Sequence, residues 1–106
     1  MALKTAPSPP DTPDLSARAA EAAAYLKTLG HEGRLMILCN LVEGEKSVSE
    51  LVALLELRQA VVSQMLSRLR YEGLVTTRRD GRAVYYGLAD DKTTQVITLL
   101  HQLFCE

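Results

Sequence analysis

At 106 residues the chain has room for one domain. A domain of that size buries roughly two-thirds of the surface its unfolded form exposes, which excludes barrel enzymes and two-domain cofactor enzymes. Hydrophobic residues make up 47% of it against four prolines and six glycines, the balance of a folded chain, and the formal net charge is only −1.

That small net charge hides an asymmetry. Arg58 to Leu88 carries six arginines against Glu72 and Asp80, or +4, while the remainder carries −5. One contiguous third of the chain is therefore suited to a polyanion. No apolar run approaches the roughly 18 residues of a membrane span. Residues 1 to 13 lack the apolar centre of a signal peptide, so a cytoplasmic location without a membrane partner is expected. Cys39 and Cys105 are too few for the disulfide framework of a small secreted domain; one crosslink is the most they can form.

Pro7, Pro9, Pro10 and Pro13 sit among Ser, Thr and Asp, so residues 1–13 read as a flexible N-terminal tail ahead of a single domain over 14–106. Leu15, Ala19, Ala22, Leu26 and Leu29 then recur at helical spacing, predicting one helix that ends near Gly30. A second helix is predicted over Glu32 to Val42, with Leu35, Leu38 and Val42 inward and Gly44 closing it. Ser47 and Glu50 have the spacing of a capping box, which starts a short helix around Leu51 and Leu54 or Leu55. After a turn at Glu56 to Arg58, Gln59 to Glu72 forms another helix whose inner face is Val62, Leu66 and Leu69. The pair is a helix-turn-helix candidate, although spacing alone leaves a generic helical pair open.

The period then changes. Leu74 to Arg79 and Arg82 to Leu88 read as strands joined at Asp80-Gly81, which sets Arg79 opposite Arg82 on one face. Asp90 or Asp91 caps a last helix carrying Val96, Leu99, Leu100, Leu103 and Phe104. The fold class is mainly α with a small β-hairpin: a winged helix-turn-helix. The apolar stripes of the first and last helices can pack across a two-fold axis, so a homodimer is expected; closure over one protomer's own core is the alternative.

In such a fold the second motif helix reads base edges while the wing holds phosphates. Gln59, Ser63, Gln64 and Ser67 offer polar groups on the outer face; the Gln64 amide suits adenine, and Ser63 suits a base edge or a phosphate. Arg58 and Arg68 flank the helix as phosphate anchors, and Arg78, Arg79 and Arg82 on the wing are assigned to the DNA backbone. A module whose arginine-rich ribbon binds an acidic protein is the competing account. A thiol-disulfide enzyme is disfavoured because no C-x-x-C motif is present.

Glu45 to Leu88, EKSVSELVALLELRQAVVSQMLSRLRYEGLVTTRRDGRAVYYGL, strongly resembles the ArsR/SmtB family of dimeric bacterial transcription repressors, and the likeness extends back through KTLGHEGRLMILCNLVEGE. The resemblance implies double-stranded operator DNA as partner, Ser63-Gln64 at the base-reading position, the RRDGR segment as the wing, and no enzymatic activity. Many members of the family hold transition metals through cysteines at the start of the first motif helix or through clusters in the last helix. Here Ser47 and Ser49 replace those thiols and His101 has no matched histidine, so neither metal nor cofactor is expected. A site gathered from His31, His101, Cys39 and Cys105 is the remaining metal possibility.

LKTLGHEGRLMILCNLVEGEKSV and HQLFCE resemble more closely the sulfide-responsive branch that includes BigR and SqrR. The resemblance implies that Cys39 and Cys105 react with persulfides or polysulfides and that their modification weakens operator binding. A repressor responding to peroxide through a simple disulfide is the nearest alternative, and a pair of inert core cysteines the plainest one.

Overall fold

The computed structural model describes residues 12–105, with side chains from residue 15 onward. Among these residues, six helices and three short strands follow one another as α1 (Thr12–Ala17), α2 (Ala19–Leu29), α3 (Glu32–Val42), β1 (Lys46–Ser47), α4 (Val48–Leu55), α5 (Gln59–Tyr71), β2 (Val75–Asp80), β3 (Ala83–Leu88) and α6 (Asp91–Cys105). The tail expected at residues 1–11 lies outside the described residues, and Thr12 and Pro13 belong to α1. A proline is tolerated there because a first-turn N–H has no helical acceptor.

The single first helix expected from the leucine and alanine spacing is broken at Arg18, whose φ and ψ are −111° and 12°. Neither glycine nor proline marks the break. The residues around it are exposed, so no core contact holds the chain to one continuous axis.

Helix α3 is the hub, packing against α2, α4, α5, α6 and β3. Ile37 and Leu38 of α3 meet Leu51 of α4 and Val62, Leu66 and Leu69 of α5 in a fully buried centre, bordered by Leu41, Leu74, Val75 and Ile97. Two polar groups are buried with it. Tyr25 and Thr93 share a hydrogen bond of 2.8 Å that ties α2 to α6, and the Thr28 hydroxyl donates to the Ala24 carbonyl.

Local chemistry fixes the ends that orient the motif. The Glu50 N–H donates to Ser47 Oγ at 3.1 Å and the Ser47 N–H donates to Glu50 Oε1 at 2.8 Å, the reciprocal capping box expected from the sequence. Helix α4 ends at Glu56 in the left-handed region, φ 56°, which turns the chain sharply toward α5. Helix α5 ends with Gly73 at φ 83°; Leu74 N–H bonds to the Leu69 carbonyl and Gly73 N–H to that of Arg70, a Schellman closure that aims the chain into β2. Asp90 Oδ1 accepts from the Lys92 N–H at the start of α6.

The sheet has three strands, ordered β1-β3-β2, where a two-stranded ribbon was expected. Lys46 pairs with Tyr86 and Ser47 with Tyr85, so the loop before α4 is stitched to the wing. The architecture is nevertheless the expected one, mainly α with a small antiparallel wing beside a helix-turn-helix. Among the described residues, no helix is long and apolar enough to cross a membrane.

Candidate functional site

Helix α5 divides cleanly. Val62, Met65, Leu66 and Leu69 are buried, whereas Gln59, Gln64, Ser67 and Arg68 are exposed and Ser63 is half-buried. The 3.6-residue repeat forces this division, because anchoring one stripe in the core leaves the opposite stripe in water. Arg58, just before the helix, is extended, and its carbonyl receives the N–H groups of Val61 and Val62. The first turn carries no acidic residue, so the helix N-terminus keeps its partial positive charge. At the other end Arg68 Nε donates to Glu72 Oε2 at 2.9 Å, so that cation is shared with a carboxylate. Arg70, not singled out from the sequence, is exposed on the same helix.

The wing corrects one expectation. Asp80 pairs with Ala83 and Arg79 with Val84, so the two-residue loop is Gly81-Arg82 and Arg79 does not face Arg82. Gly81 takes φ 63° while Arg82 does not, the pattern of a type II′ turn with glycine first. The loop therefore lies one residue later in the chain than expected: β2 gains Asp80, and β3 begins at Ala83 rather than Arg82. Arg82 sits at the tip and Arg79 at its shoulder, both exposed, and among the described residues neither has a charged partner.

Arg78 differs from its neighbours. Its Nη2 lies 2.8 Å from Glu45 Oε1, its Nε donates to the same oxygen at 2.9 Å, and its guanidinium stacks 5.0 Å above the Tyr85 ring on β3. Asp80 is a further carboxylate at 3.9 Å. The hydrogen bond to Glu45, then the Glu45 charge, raises the Arg78 pKa. Glu45 was not singled out from the sequence, and no local pattern signals a partner 33 positions away.

Cys39 in the middle of α3 and Cys105 at the end of α6 line one groove of about 730 Å³. Both are unbridged; Cys39 is half-buried and Cys105 exposed. Burial, and after it the neighbouring Cys105, raises the Cys39 pKa, holding that sulfur as a thiol at neutral pH. The walls come from Leu35, Met36 and Val42 on one helix and Ile97, Leu100 and Phe104 on the other, with His101 beside them. Sequence spacing supplied the two cysteines but not this shared apolar wall. Among the described residues, no three His, Cys, Asp or Glu side chains gather as a metal site, and the four residues considered for one do not do so.

Much of each expected dimer stripe stays open, although Leu29 is buried in the core and Val96 and Leu100 pack against it. Leu26 is 61% exposed, Leu103 66% and Phe104 81%, and Leu15 and Leu99 are also open.

Residues 31–77 match the family model described as bacterial regulatory protein, arsR family. The biofilm growth-associated repressor of Agrobacterium fabrum is 47% identical over 93 residues, covering 88% of this chain and 80% of its own. The crystal structure of the transcriptional repressor BigR from Xylella fastidiosa superposes with a TM-score of 0.83 at 44% identity, covering 88% of this chain and 95% of that one. Reduced HlyU from Vibrio cholerae superposes at 0.81 with 42% identity over 88% and 98% of the two chains, and that protein is named a transcriptional activator. A winged helix-turn-helix domain from Mycobacterium bovis described as homodimeric superposes at 0.73 with 28% identity, covering 85% of this chain and 84% of that one. The helix-turn-helix, the wing and these likenesses together make the chain a member of the arsR family of bacterial regulatory proteins, a family of DNA-binding regulators rather than of enzymes, closely related to the BigR/SqrR branch.

Proposed function

We propose that the chain is a homodimeric repressor whose affinity for operator DNA falls when persulfide or polysulfide modifies Cys39 and Cys105. The observation that carries this reading is the shared groove, in which two free thiols from helices 66 positions apart in sequence face the same apolar space. The exposed stripes of α2 and α6 support an isologous interface, and the outer face of α5 with Arg79 and Arg82 supplies the base-reading and phosphate-binding groups. Gln59, Ser63, Gln64 and Ser67 take base edges or nearby backbone. Arg58 and Arg68 flank them, and Arg78, already paired with Glu45, acts as a strut of the wing.

The chemistry balances without an added oxidant. One cysteine thiolate attacks the outer sulfur of an organic persulfide, the sulfur–sulfur bond breaks, the organic thiolate leaves and a cysteine persulfide forms. The second thiolate then attacks the inner sulfur and expels hydrosulfide, closing a disulfide. In total two protein thiols and one persulfide give a disulfide, one thiol and hydrogen sulfide. A second persulfide inserts one more bridging sulfur and leaves a further thiol. Longer bridges relax the roughly 4.4 to 6.8 Å Cα separation that a direct disulfide demands.

Any bridge couples α3 to α6, and α3 is packed directly on the reading helix. Ile37 and Leu38 of α3 are fully buried with Val62, Leu66 and Leu69 of α5, so a displacement of α3 disturbs the packing that holds the reading helix. A coupling of about 1 to 3 kcal/mol shifts DNA affinity roughly 5- to 150-fold.

The test uses DNA selected from a random library by the reduced protein. Titration before and after treatment with an organic persulfide, with intact mass on the same samples, should show weaker binding and bridged protomers. Both effects should vanish in Cys39→Ser and Cys105→Ser. Equal affinity of the reduced and modified dimers at matched salt refutes the reading. A peroxide arm distinguishes the alternative: a peroxide product and a direct disulfide made by one persulfide both lose two hydrogens, so a bridge that gains sulfur, or weaker DNA binding after persulfide but not after peroxide, marks the sulfur sensor. A promoter reporter tests repression against the activation named for HlyU.

A further inference from the structure

The groove between α3 and α6 has a chemical bias of its own. Among the described residues, Glu43 is the ionisable group that lines it apart from the two thiols and His101, and neither lysine nor arginine does. The Glu43 carboxylate is largely solvated, with the Lys46 ammonium at the long distance of 3.8 Å. An anionic reagent entering this space exchanges most of its water for apolar side chains, with Thr98, His101 and Gln102 as the polar groups beside them, finds no lysine or arginine to replace its hydration, and meets a carboxylate at the edge. An uncharged reagent with short alkyl arms buries those arms against Leu35, Val42, Ile97 and Leu100 instead. The volume is in the range of small-molecule sites, in a groove half open to solvent.

We propose that this groove selects uncharged, apolar sulfane-sulfur donors, dialkyl polysulfanes and alkyl persulfides, over anionic peptide persulfides; this specificity rests on the sulfur-switch reading above. Cys105 is the more accessible thiol and attacks first. Its thiolate attacks a terminal sulfur of a dialkyl trisulfide, that sulfur–sulfur bond breaks, and an alkyl persulfide anion leaves with the electron pair. Cys39, as a thiolate, then attacks the Cys105 sulfur of the mixed disulfide and expels the alkyl thiolate. The two cysteines are oxidised by two electrons, the trisulfide is reduced, and the two protons end on the alkyl thiol and the alkyl persulfide.

The experiment treats the reduced full chain with three trisulfides that differ only at their ends: dipropyl, bis(carboxyethyl) and bis(aminoethyl). Thiol loss is followed by intact mass, and each rate is divided by the rate of the same reagent with a blocked free cysteine. The dipropyl compound should react roughly tenfold or more faster than the carboxylated one after this correction. Glu43→Gln should speed the carboxylated reagent several-fold and leave the dipropyl rate unchanged. Equal corrected rates for the three reagents overturn the selectivity, as do uniformly slow rates, which a groove covered by the partner subunit or by residues 1–11 would give. Operator affinity measured on the same samples separates the two readings. Selective modification with unchanged affinity removes the switch and leaves the groove's preference standing.

Discussion

The wing carries three arginines assigned to phosphate contact, Arg78, Arg79 and Arg82, and the structure ranks them. Arg78 already shares its charge with Glu45 at 2.8 Å, whereas Arg79 and Arg82 have no carboxylate within ion-pair reach among the described residues. Each phosphate contact made by a cation steepens the dependence of the logarithm of affinity on the logarithm of salt by about 0.9. Arg79→Ala removes one such contact per protomer, so the slope of the dimer should flatten by about 1.8, and across a fourfold rise in salt that difference amounts to roughly twelvefold in affinity. Arg78→Ala should leave the slope nearly unchanged, because the cation it removes is neutralised within the chain. Glu45→Gln frees that cation and should steepen the slope by up to about 1.8, with tighter binding at low salt. Fluorescence anisotropy with selected operator DNA across a salt series measures all three. If Arg78→Ala flattens the slope as much as Arg79→Ala while Glu45→Gln changes nothing, Arg78 is itself a phosphate ligand and the strut role assigned to it is wrong.

The remaining expectations concern the thiols, the core and the interface. With Cys105→Ser, the remaining Cys39 should be alkylated by iodoacetamide more slowly at neutral pH than Cys105 is in Cys39→Ser, since burial holds Cys39 protonated; its rate should keep rising with pH after an unfolded control has levelled. The folded chain also keeps the Cys39 proton longer than the unfolded one. That contribution to stability is therefore complete below the unfolded thiol's pKa and lost as pH rises through the folded value, which denaturation of the parent and Cys39→Ser into the alkaline range should show. Leu66→Ala empties a fully buried position and should cost about 2 to 5 kcal/mol in urea denaturation at fixed protein concentration. Leu103→Lys puts a charge on an open apolar stripe twice in a two-fold dimer. It should raise the dimer dissociation constant roughly a hundredfold in sedimentation equilibrium, and an unchanged constant would place the interface elsewhere.

Much of the fold was written locally. The Ser47 and Glu50 spacing dictated a capping box, the Val62, Leu66 and Leu69 stripe dictated which face of α5 is buried, and the Asp90-Asp91 pair dictated the start of α6, with Asp90 as the residue that accepts the N–H. In each case the physics acts within one or two helical turns, so the pattern in the sequence is the cause itself. Sequence also placed two cysteines on two separate helices and concentrated arginine around the wing.

What required the folded chain was non-local or too short to carry a period. Strand β1 is two residues long and exists because β3, about 40 positions away, offers it hydrogen bonds. The hairpin register depended on which residue beside Gly81 closed the loop, and a slip of one position separated Arg79 from Arg82. The neutralisation of Arg78 by Glu45 and the gathering of Cys39 and Cys105 onto one apolar wall follow from how α3, α6 and the sheet pack. Sequence determined which groups the chain carries and which face of each helix they occupy. Tertiary packing decided which of those groups meet, because contact between distant segments depends on the relative placement of whole elements, a quantity that no local spacing encodes.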